Sequence, residues 1–156
     1  MIQIKIPGSG IRHIKHAVFD FNGTIACDGI LIKGVKAQMH KFSDLIEFHV
    51  ITADTFGSVR QQLKGTGCNI IIIPEKNQAS AKADFLDSLG PDQALCAGNG
   101  ANDVMMLEKA GTGIAVLQEE GLACSCLKAA DLVVRNVLDI FCFFKTPERL
   151  VATLRT

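Results

Sequence analysis

Asp20-Phe21-Asn22-Gly23-Thr24 is the stretch that decides the fold, and it directly follows the apolar segment Ala17-Val18-Phe19. A second such pair lies further along, where Gly98-Asn99-Gly100-Ala101-Asn102-Asp103 follows the apolar segment Ala94-Leu95-Cys96-Ala97. Open α/β sheets build their sites at the carboxyl ends of buried strands, so both polar stretches are expected at one edge of such a sheet. Their separation of about 80 residues leaves room for the helical crossovers that join parallel strands.

The residue types in these two stretches indicate phosphate chemistry. A carboxylate in front of a glycine-containing turn can act as a nucleophile toward phosphorus. A second acidic cluster nearby can hold the magnesium ion that phosphoryl transfer needs. Either stretch alone is also compatible with an ordinary turn or helix cap, because Asn-Gly is a common turn dipeptide and Asp a common capping residue.

The composition is that of one domain spanning residues 1–156, which is long enough to bury a sizeable core. Hydrophobic residues make up 48% of the chain, yet no apolar run approaches the roughly 18 residues that a membrane span needs. The formal net charge is zero and no basic stripe occurs, which argues against nucleic acid as a partner. The amino terminus lacks the apolar region of a signal peptide, so a cytoplasmic protein is expected.

The six cysteines are expected to be reduced rather than paired. Cys68, Cys96 and Cys142 lie in apolar stretches, where free cysteine behaves as a small hydrophobic residue. The Cys124-Ser125-Cys126 spacing has no partner motif, so no zinc site is predicted from it. Four histidines include no i, i+4 pair and are interpreted as surface or strand residues with no metal or catalytic role: His13, His16, His40 and His49.

Apolar segments alternate with amphipathic ones along the chain, which predicts βαβ units and a doubly wound, Rossmann-like α/β domain with a mostly parallel sheet. Strands are predicted at Ile2–Ile6, 16–19, 47–51, 69–73, 94–97, 113–116 and Leu132–Val134. Helices are predicted at 35–45, 80–89, 121–130 and 147–154. Another is predicted to run through Val59 and Leu63 until Gly65 and Gly67 end it, and one more from Asn102 or Asp103 to Ala110. Asp54 and Thr55 are the predicted N-cap residues of the helix through Val59, and residues 119–121 are predicted to open the helix at 121–130.

The chain between the first polar stretch and Val35 is short and carries only turn signals, Cys27-Asp28-Gly29 and Lys33-Gly34. This leaves no room for an inserted cap domain, so the site is expected to be open. An open site suits a macromolecular substrate, or one that a neighbouring subunit covers. The candidate subunit contacts are strand Ile2–Ile6 and the apolar run 140–144, although that run is also compatible with a core strand or turn.

Four motifs in order make the chain similar to the haloacid dehalogenase (HAD) superfamily of phosphohydrolases. Residues 20–24 resemble the first motif, in which Gly and Thr closely follow an Asp nucleophile. Val50-Ile51-Thr52 resembles the second, a Thr or Ser that ends a buried strand, and Lys82 resembles the third, a lysine that opens a helix. Residues 98–103 resemble the fourth, the magnesium cluster. With Lys82 upstream, this cluster is most similar to the catalytic domain of P-type ATPases and to small soluble P-type ATPases without transmembrane helices.

The resemblance implies a role for each matched residue. Asp20 would attack the phosphoryl group in line and form an aspartyl phosphate. Lys82 would neutralise the charge of the carboxylate and the phosphate, and Thr52 would hold a transferring oxygen. The residues expected to bind the phosphate are Phe21, Asn22, Gly23, Thr52, Ala53 and Lys82. Lys76 is the competing lysine, and Lys82 is preferred because its helix packs an apolar face on the sheet.

The resemblance also implies a Mg²⁺ cofactor, held among Asp20, the carbonyl of Asn22, Asn99 and Asp103. Two of these positions depart from the family pattern. Asn22 stands where phosphatases usually carry a second Asp that protonates the leaving group, a contribution of about 10²–10⁴-fold to the rate. Asn99 stands where the fourth motif normally has Asp, so metal binding should be weaker. The sequence therefore predicts a slow phosphatase or ATPase-like phosphohydrolase.

Two alternatives to this function remain open. One is a sugar-phosphate phosphatase similar to the capless octulosonate-phosphate phosphatases, which work as tetramers. The other is a non-catalytic module that binds phosphate or a phosphoprotein, or that serves in assembly, with Asn22 and Asn99 marking lost catalysis. The substrate itself is not named by the sequence, because specificity in this fold lies in cap and loop residues.

Overall fold

The computed structural model describes residues 1–53 and 57–156. Its strands are β1 (Ile2–Ile6), β2 (Gly10–Ile14), β3 (His16–Asp20), β4 (Ala26–Cys27), β5 (Ile30–Leu31), β6 (Glu47–Thr52), β7 (Asn69–Ile72), β8 (Ala94–Gly98), β9 (Thr112–Val116) and β10 (Leu132–Val134). Its helices are α1 (Val35–Phe42), α2 (Val59–Gln62), α3 (Gln78–Leu89), α4 (Val104–Lys109), α5 (Cys126–Ala129), α6 (Leu138–Lys145) and α7 (Glu148–Leu154). Two short 3₁₀ turns lie at Pro91–Gln93 and Ala101–Asp103.

A six-stranded parallel sheet forms the centre of the molecule, in the order β10-β9-β8-β3-β6-β7. The residues of β3, β8 and β9 are all buried, as expected for parallel strands that helices cover on both faces. One apolar layer contains Phe19 and Phe141, and the other contains Val18 and Leu86. The predicted doubly wound α/β fold with a mostly parallel sheet is confirmed.

The first strand, β1, does not join the central sheet. It pairs antiparallel with β2, a strand that the sequence analysis missed. The turn between them contains Gly8, and β2 begins at Gly10; both glycines have positive φ, which a side chain would disfavour. Ile4 and Ile6 nevertheless reach the core, so this hairpin closes one end of the domain.

The segment between β3 and α1 forms a second small hairpin, β4–β5, rather than a bare turn. The side chain of Gln62 fixes it to α2, accepting from the Leu31 N–H at 2.6 Å and donating to the Gly29 carbonyl at 2.5 Å. The hairpin has only two residues in each strand and encloses no core of its own. Within the described residues no cap domain is inserted between β3 and α1, as expected.

The apolar run 140–144 is neither a strand nor an exposed subunit contact. It lies within α6, and its four large side chains are buried: Ile140, Phe141, Phe143 and Phe144. They recur at the i, i+1, i+3, i+4 spacing of one helix face. Phe141 stacks on Phe19 with ring centroids 5.7 Å apart, which joins α6 to the central strand.

Three further predictions of local structure differ from the observed one. The predicted helix 121–130 is helical only over α5, because the backbone of Asn99 accepts the N–H of Ala123 and its side chain binds the carbonyl of Gly121. Helix α1 ends at Phe42 rather than at residue 45. The predicted caps Asp54 and Thr55 lie outside the described residues.

His16 and His49 lie in strands, as predicted, but they are not surface residues. Each is only 4% exposed, and His16 Nδ1 lies 3.1 Å from His49 Nε2. None of the described helices is long and apolar enough to span a bilayer. The six cysteines are free thiols, as expected, with Cys96 fully buried and Cys68 and Cys142 half-buried.

Candidate active site

Strands β3, β6 and β8 end side by side at one edge of the sheet, and polar residues follow each of them. Asp20 is the last residue of β3, Thr52 the last of β6 and Gly98 the last of β8. Around them lies an open pocket of about 250 Å³. It is lined by Asp20, Asn22, Thr52, Ala53, Gln78, Asn99, Gly100, Asn102 and Glu120.

Lys82 ties two of the motifs together behind this pocket. Its Nζ donates to Oδ1 of Asp20 and to Oδ1 of Asp103, each at 2.6 Å. The lysine is 1% exposed and sits in α3, whose Leu86 packs on the sheet one turn further along. Lys76, the competing lysine, is exposed. The structure thus brings Lys82, and not Lys76, to the carboxylates.

The charges of this cluster do not cancel. Burial and the neighbouring Asp103 carboxylate raise the pKa of Asp20 to about 7, and the Lys82 ammonium works against that rise. Burial alone would lower the pKa of Lys82, but the two carboxylates outweigh it and raise that pKa. One ammonium between two buried carboxylates leaves excess negative charge, an environment that favours a bound cation.

Asp103 is enclosed by donors on both sides. Its Oδ1 accepts from Lys82, and its Oδ2 accepts the backbone N–H groups of Asn99 at 3.0 Å and Gly100 at 2.9 Å. The residue is fully buried and does not line the pocket. A Cβ at Gly98 would lie 2.3 Å from Asp103 Cγ, so only glycine lets the strand end close around this carboxylate.

The first and fourth motifs touch through Thr24 and Asn99. The Thr24 hydroxyl lies 3.3 Å from Oδ2 of Asp20 and 3.3 Å from Oδ1 of Asn99. Gly23 has φ of +78°, and a Cβ there would lie 2.2 Å from Asn99 Nδ2. This glycine therefore permits both the left-handed turn and the close approach of the two loops.

The backbone donors after Asp20 are only partly available to a ligand. The N–H of Gly23 already donates to the carbonyl of Ala26 at 2.7 Å, whereas the N–H of Phe21 is directed at the Asp20 carboxylate. Among the described residues, the buried Oδ1 of Asn22 has no hydrogen-bond partner. A buried carbonyl oxygen without a partner is costly, so this atom marks a place where a bound group is expected to fit.

The oxygen donors around the pocket suit a magnesium ion. Asp20 supplies a carboxylate, and Asn22 and Asn99 supply amide and backbone oxygens that line the same space. Mg²⁺ prefers such hard oxygen ligands and keeps several waters, so it needs few protein ligands. The excess negative charge and the unpartnered Asn22 oxygen both fit this cation.

The chain is similar in sequence to two proteins of Methanocaldococcus jannaschii. The chain is 26% identical over 120 residues to a soluble P-type ATPase-like phosphatase of Methanocaldococcus jannaschii, a match covering 75% of this chain and 44% of that protein. A second protein of the same organism, with no function in its name, is 34% identical over 79 residues, or 48% of this chain and 85% of that protein. No family model matches the chain.

Two solved structures share the fold. One is the 3-deoxy-D-manno-octulosonate 8-phosphate phosphatase from Moraxella catarrhalis, in complex with magnesium, phosphate and the sugar acid. It superposes with a TM-score of 0.65 at 19% identity, and the match covers 92% of this chain and 88% of that one. A HAD superfamily hydrolase of subfamily III A from Legionella pneumophila gives 0.64 at 20% identity, covering 90% and 88%. At these identities the likeness shows a shared fold.

The chain spans less than half the length of the soluble P-type ATPase-like phosphatase that it matches. The four motif segments identified in the sequence all meet at the carboxyl edge of the sheet. Asp20, Thr52 and Asn99 line the pocket, and Lys82 and Asp103 lie behind it. Phe21 and Gly23 are buried beside them in the turn that follows β3.

Two residues that line the pocket lie outside the four motif segments and were not predicted from the sequence as site residues, Gln78 and Glu120. Gln78 lies one helical turn before Lys82, a spacing that places both on one face and could have identified it. Its Oε1 accepts from Asn102 Nδ2 at 2.7 Å. Glu120 was interpreted as opening a helix, but no helix begins there in the described chain, and its carboxylate accepts the N–H of Asp28 at 2.8 Å.

Proposed function

We propose that this protein is a magnesium-dependent phosphohydrolase that uses Asp20 as its nucleophile. The observation that carries the proposal is the Lys82 ammonium held between Asp20 and Asp103 beside an open polar pocket. An anionic substrate group that approaches a carboxylate is repelled by it, and the Lys82 ammonium reduces this repulsion. The phosphatase name of the 26%-identical relative supports the same reaction class.

Asp20 would supply the attacking oxygen. Lys82 holds its Oδ1 at 2.6 Å, so Oδ2, which the Thr24 hydroxyl contacts at 3.3 Å, is the oxygen left for bond formation. A new bond forms between Oδ2 and phosphorus as the bond to the leaving-group oxygen breaks, and the leaving group takes up a proton from solvent. Water then cleaves the aspartyl phosphate to inorganic phosphate and restores the carboxylate.

The phosphoryl oxygens would be held by groups that already face the pocket. Thr52 and Ala53 line it on one side, and the backbone after Asp20 lines it on the other. Phe21, Asn22 and Gly23 remain the predicted backbone contacts, although the N–H of Gly23 must first leave the carbonyl of Ala26. Donors that already face the phosphate cost no reorganisation during the reaction, whereas the Gly23 N–H adds that cost.

Magnesium would be held by Asp20 and the carbonyl of Asn22, with Asn99 and Asp103 as the remaining predicted ligands. Because Asp103 lies behind the pocket with three donors around it, we infer that it acts mainly through its charge and through Lys82. When bound, the metal neutralises charge on the phosphoryl oxygens. Asn99 contributes no charge, so the affinity for magnesium should be low for this superfamily.

The leaving group receives little help from this site. Asn22 replaces the usual acid, and Glu120 is the one carboxylate besides Asp20 among the described lining residues. Glu120 is exposed at the mouth and occupied by the Asp28 N–H, so it is poorly placed to protonate a leaving group. Turnover of substrates with poor leaving groups is therefore expected to be slow.

A sugar-phosphate phosphatase is the second candidate function. The polar rim of the pocket favours this function, because it offers donors and acceptors suited to the hydroxyl groups of a sugar: Gln78, Asn102 and Glu120. The octulosonate-phosphate phosphatase that shares the fold acts on a phosphorylated sugar acid. A phosphorylated substrate is common to both candidates.

Release of p-nitrophenol from p-nitrophenyl phosphate with Mg²⁺ tests the proposal. This good leaving group needs little protonation, so Asn22 does not mask the reaction. We expect turnover by the wild type and none by Asp20→Asn, while Asp92→Asn, which alters an exposed carboxylate, keeps wild-type activity. Equal turnover in the wild type and Asp20→Asn would refute the nucleophile. No turnover at saturating Mg²⁺ would favour the non-catalytic phosphate-binding module.

A further inference from the structure

Three potential ligand atoms converge at the opposite end of strands β3 and β6. His16 Nδ1 lies 3.1 Å from His49 Nε2 and 3.4 Å from Glu47 Oε2. The parallel register pairs His16 with Glu47 and Val18 with His49, so all three side chains project from one face of the sheet. The strands thus hold the three groups in place without any loop.

We propose that His16, Glu47 and His49 bind a zinc-class divalent cation. A tetrahedral ion with bonds of about 2.0–2.1 Å to nitrogen or oxygen has ligand atoms about 3.3 Å apart. The two observed separations, 3.1 and 3.4 Å, bracket that value, and all three ligand atoms lie within 4.8 Å of one another. The cluster therefore needs only small side-chain shifts to accept the ion.

The ligand set selects the kind of metal. Two imidazole nitrogens and one carboxylate suit Zn²⁺, Co²⁺ or Ni²⁺, whereas Mg²⁺ prefers oxygen ligands. The site proposed here thus differs in chemistry from the oxygen-rich pocket. It also differs in place, because the length of β3 puts about 13 Å between the His16 and Asp20 positions.

The surroundings of His49 favour a fixed ligand. Its ring is 4% exposed, packs edge-on against Phe85 of α3 at 5.6 Å, and has Nδ1 3.4 Å from the side-chain amide of Asn69. Metal-bound histidines usually donate their second ring N–H to an acceptor. The amide oxygen and nitrogen of Asn69 exchange places by a simple flip, which would supply that acceptor.

Solvent reaches the cluster through Glu47, whose side chain is 55% exposed. This opening provides an entry path and leaves room for water to complete the coordination. Lys15 Nζ lies 3.9 Å from Oε1 of the same carboxylate, the oxygen that does not face His16. Lys15 therefore neutralises part of the Glu47 charge but does not occupy the oxygen that would coordinate a cation. In the absence of metal, the two imidazoles simply share one hydrogen bond.

Co²⁺ titration tests the proposal, with excess Mg²⁺ present so that the oxygen-rich pocket is filled. Tetrahedral Co²⁺ gives intense visible d–d absorption, and we expect one equivalent to bind the full-length wild type. Glu47→Gln, which alters an exposed side chain and should fold normally, is expected to weaken binding at least tenfold. His49→Gln should abolish the band. His40→Gln, an exposed histidine, and Asp20→Asn should both leave it intact.

Cys27, Asp28 and Glu120 form a second cluster within ligand distance, so the titration is also made with Cys27→Ser. A thiolate–cobalt charge-transfer band in the near ultraviolet, lost in this variant, would place the ion there and overturn the proposal. A d–d band that survives in Glu47→Gln and His49→Gln, or the lack of any such band in the wild type, would overturn it as well. Loss of the band in Asp20→Asn would assign the ion to the pocket instead.

Discussion

The two ends of strands β3 and β6 bury polar groups in opposite ways. At the carboxyl end, Asp20 and Asp103 are kept as partners of the Lys82 ammonium, each 2.6 Å from Nζ. At the amino end, His16 and His49 are equally buried, yet they meet as ring nitrogens 3.1 Å apart. One pair of strands therefore supports a charged cluster at one end and an imidazole cluster at the other.

Backbone donors explain the difference. The loop after β8 directs the N–H groups of Asn99 and Gly100 at Asp103, which stabilises a buried carboxylate. The amino ends of the strands offer no comparable set of charge-stabilising groups in the described chain. Burial and the neighbouring His16 lower the pKa of His49 to about 4, so that ring is uncharged at neutral pH.

The largest effect is expected from removing the cation at the carboxyl end of the strands. Lys82→Met leaves Asp20 and Asp103 as two buried carboxylates without their cation, and we expect a loss of about 3–5 kcal/mol in the free energy of unfolding. Urea denaturation measures it. Added Mg²⁺ should restore part of the loss, since it supplies the missing positive charge. Lys76→Met, which alters an exposed lysine, should stay within about 0.5 kcal/mol of the wild type; an equal effect of both substitutions would contradict the account.

The next largest effect is expected from adding an acid beside Asp20 at the carboxyl end. Asn22→Asp restores the group that the HAD superfamily uses to protonate leaving groups, and we expect about 10²-fold faster turnover of alkyl phosphates. Turnover of p-nitrophenyl phosphate should change much less, because its leaving group needs little protonation. The two rates are measured side by side. An equal gain on both substrates would show that Asn22 limits something other than proton transfer.

Asp103→Asn tests whether the fourth motif needs a full carboxylate. Both Asp103 oxygens accept from donors, so an amide must turn its NH₂ toward either Lys82 or the N–H groups of Asn99 and Gly100. We expect a loss of about 2–3 kcal/mol, because a buried donor then loses its partner. Chemical denaturation with and without Mg²⁺ measures the loss. Asp92→Asn, at an exposed carboxylate, serves as the control. A neutral result for Asp103→Asn would mean that the loop does not depend on the charge of this carboxylate.

The smallest effect concerns the amino end and pH. The folded-state pKa of His49, about 4, lies below the usual value of 6.5, so the unfolded chain binds more protons between these values. The stabilisation is complete above pH 6.5 and is lost as the pH falls toward 4, by about 2 kcal/mol at pH 5. The raised pKa of Asp20 acts in the opposite direction, so the wild-type profile is compared with that of His49→Gln in a metal chelator. Parallel profiles for the two proteins would show that His49 is not the group responsible.

Much of this fold was predictable because its central strands are continuous apolar runs. Strands β3, β6 and β8 match the predicted segments to within one residue, and their polar ends place the four motifs together. The run 140–144 was ambiguous, since five apolar residues fit a buried strand as well as a helix face. Only its packing against Phe19 decides for a helix.

The parts of the site that escaped prediction depend on contacts between residues distant in sequence. The segment 121–125 has helical composition, but Asn99 fixes its backbone in another conformation. Glu120, which directly precedes this segment, lines the pocket. The imidazole cluster was missed because His16 and His49 are 33 residues apart, and only the parallel register brings them together.

Reductive trapping of the intermediate tests the central claim most directly. The protein is incubated with Mg²⁺ and p-nitrophenyl phosphate, quenched in acid and treated with borohydride, which reduces an aspartyl phosphate to homoserine. Peptide mass spectrometry then locates the reduced residue. The account predicts homoserine at position 20 in the wild type and none in Asp20→Asn. Turnover without homoserine at position 20, or with homoserine at another aspartate, would contradict it.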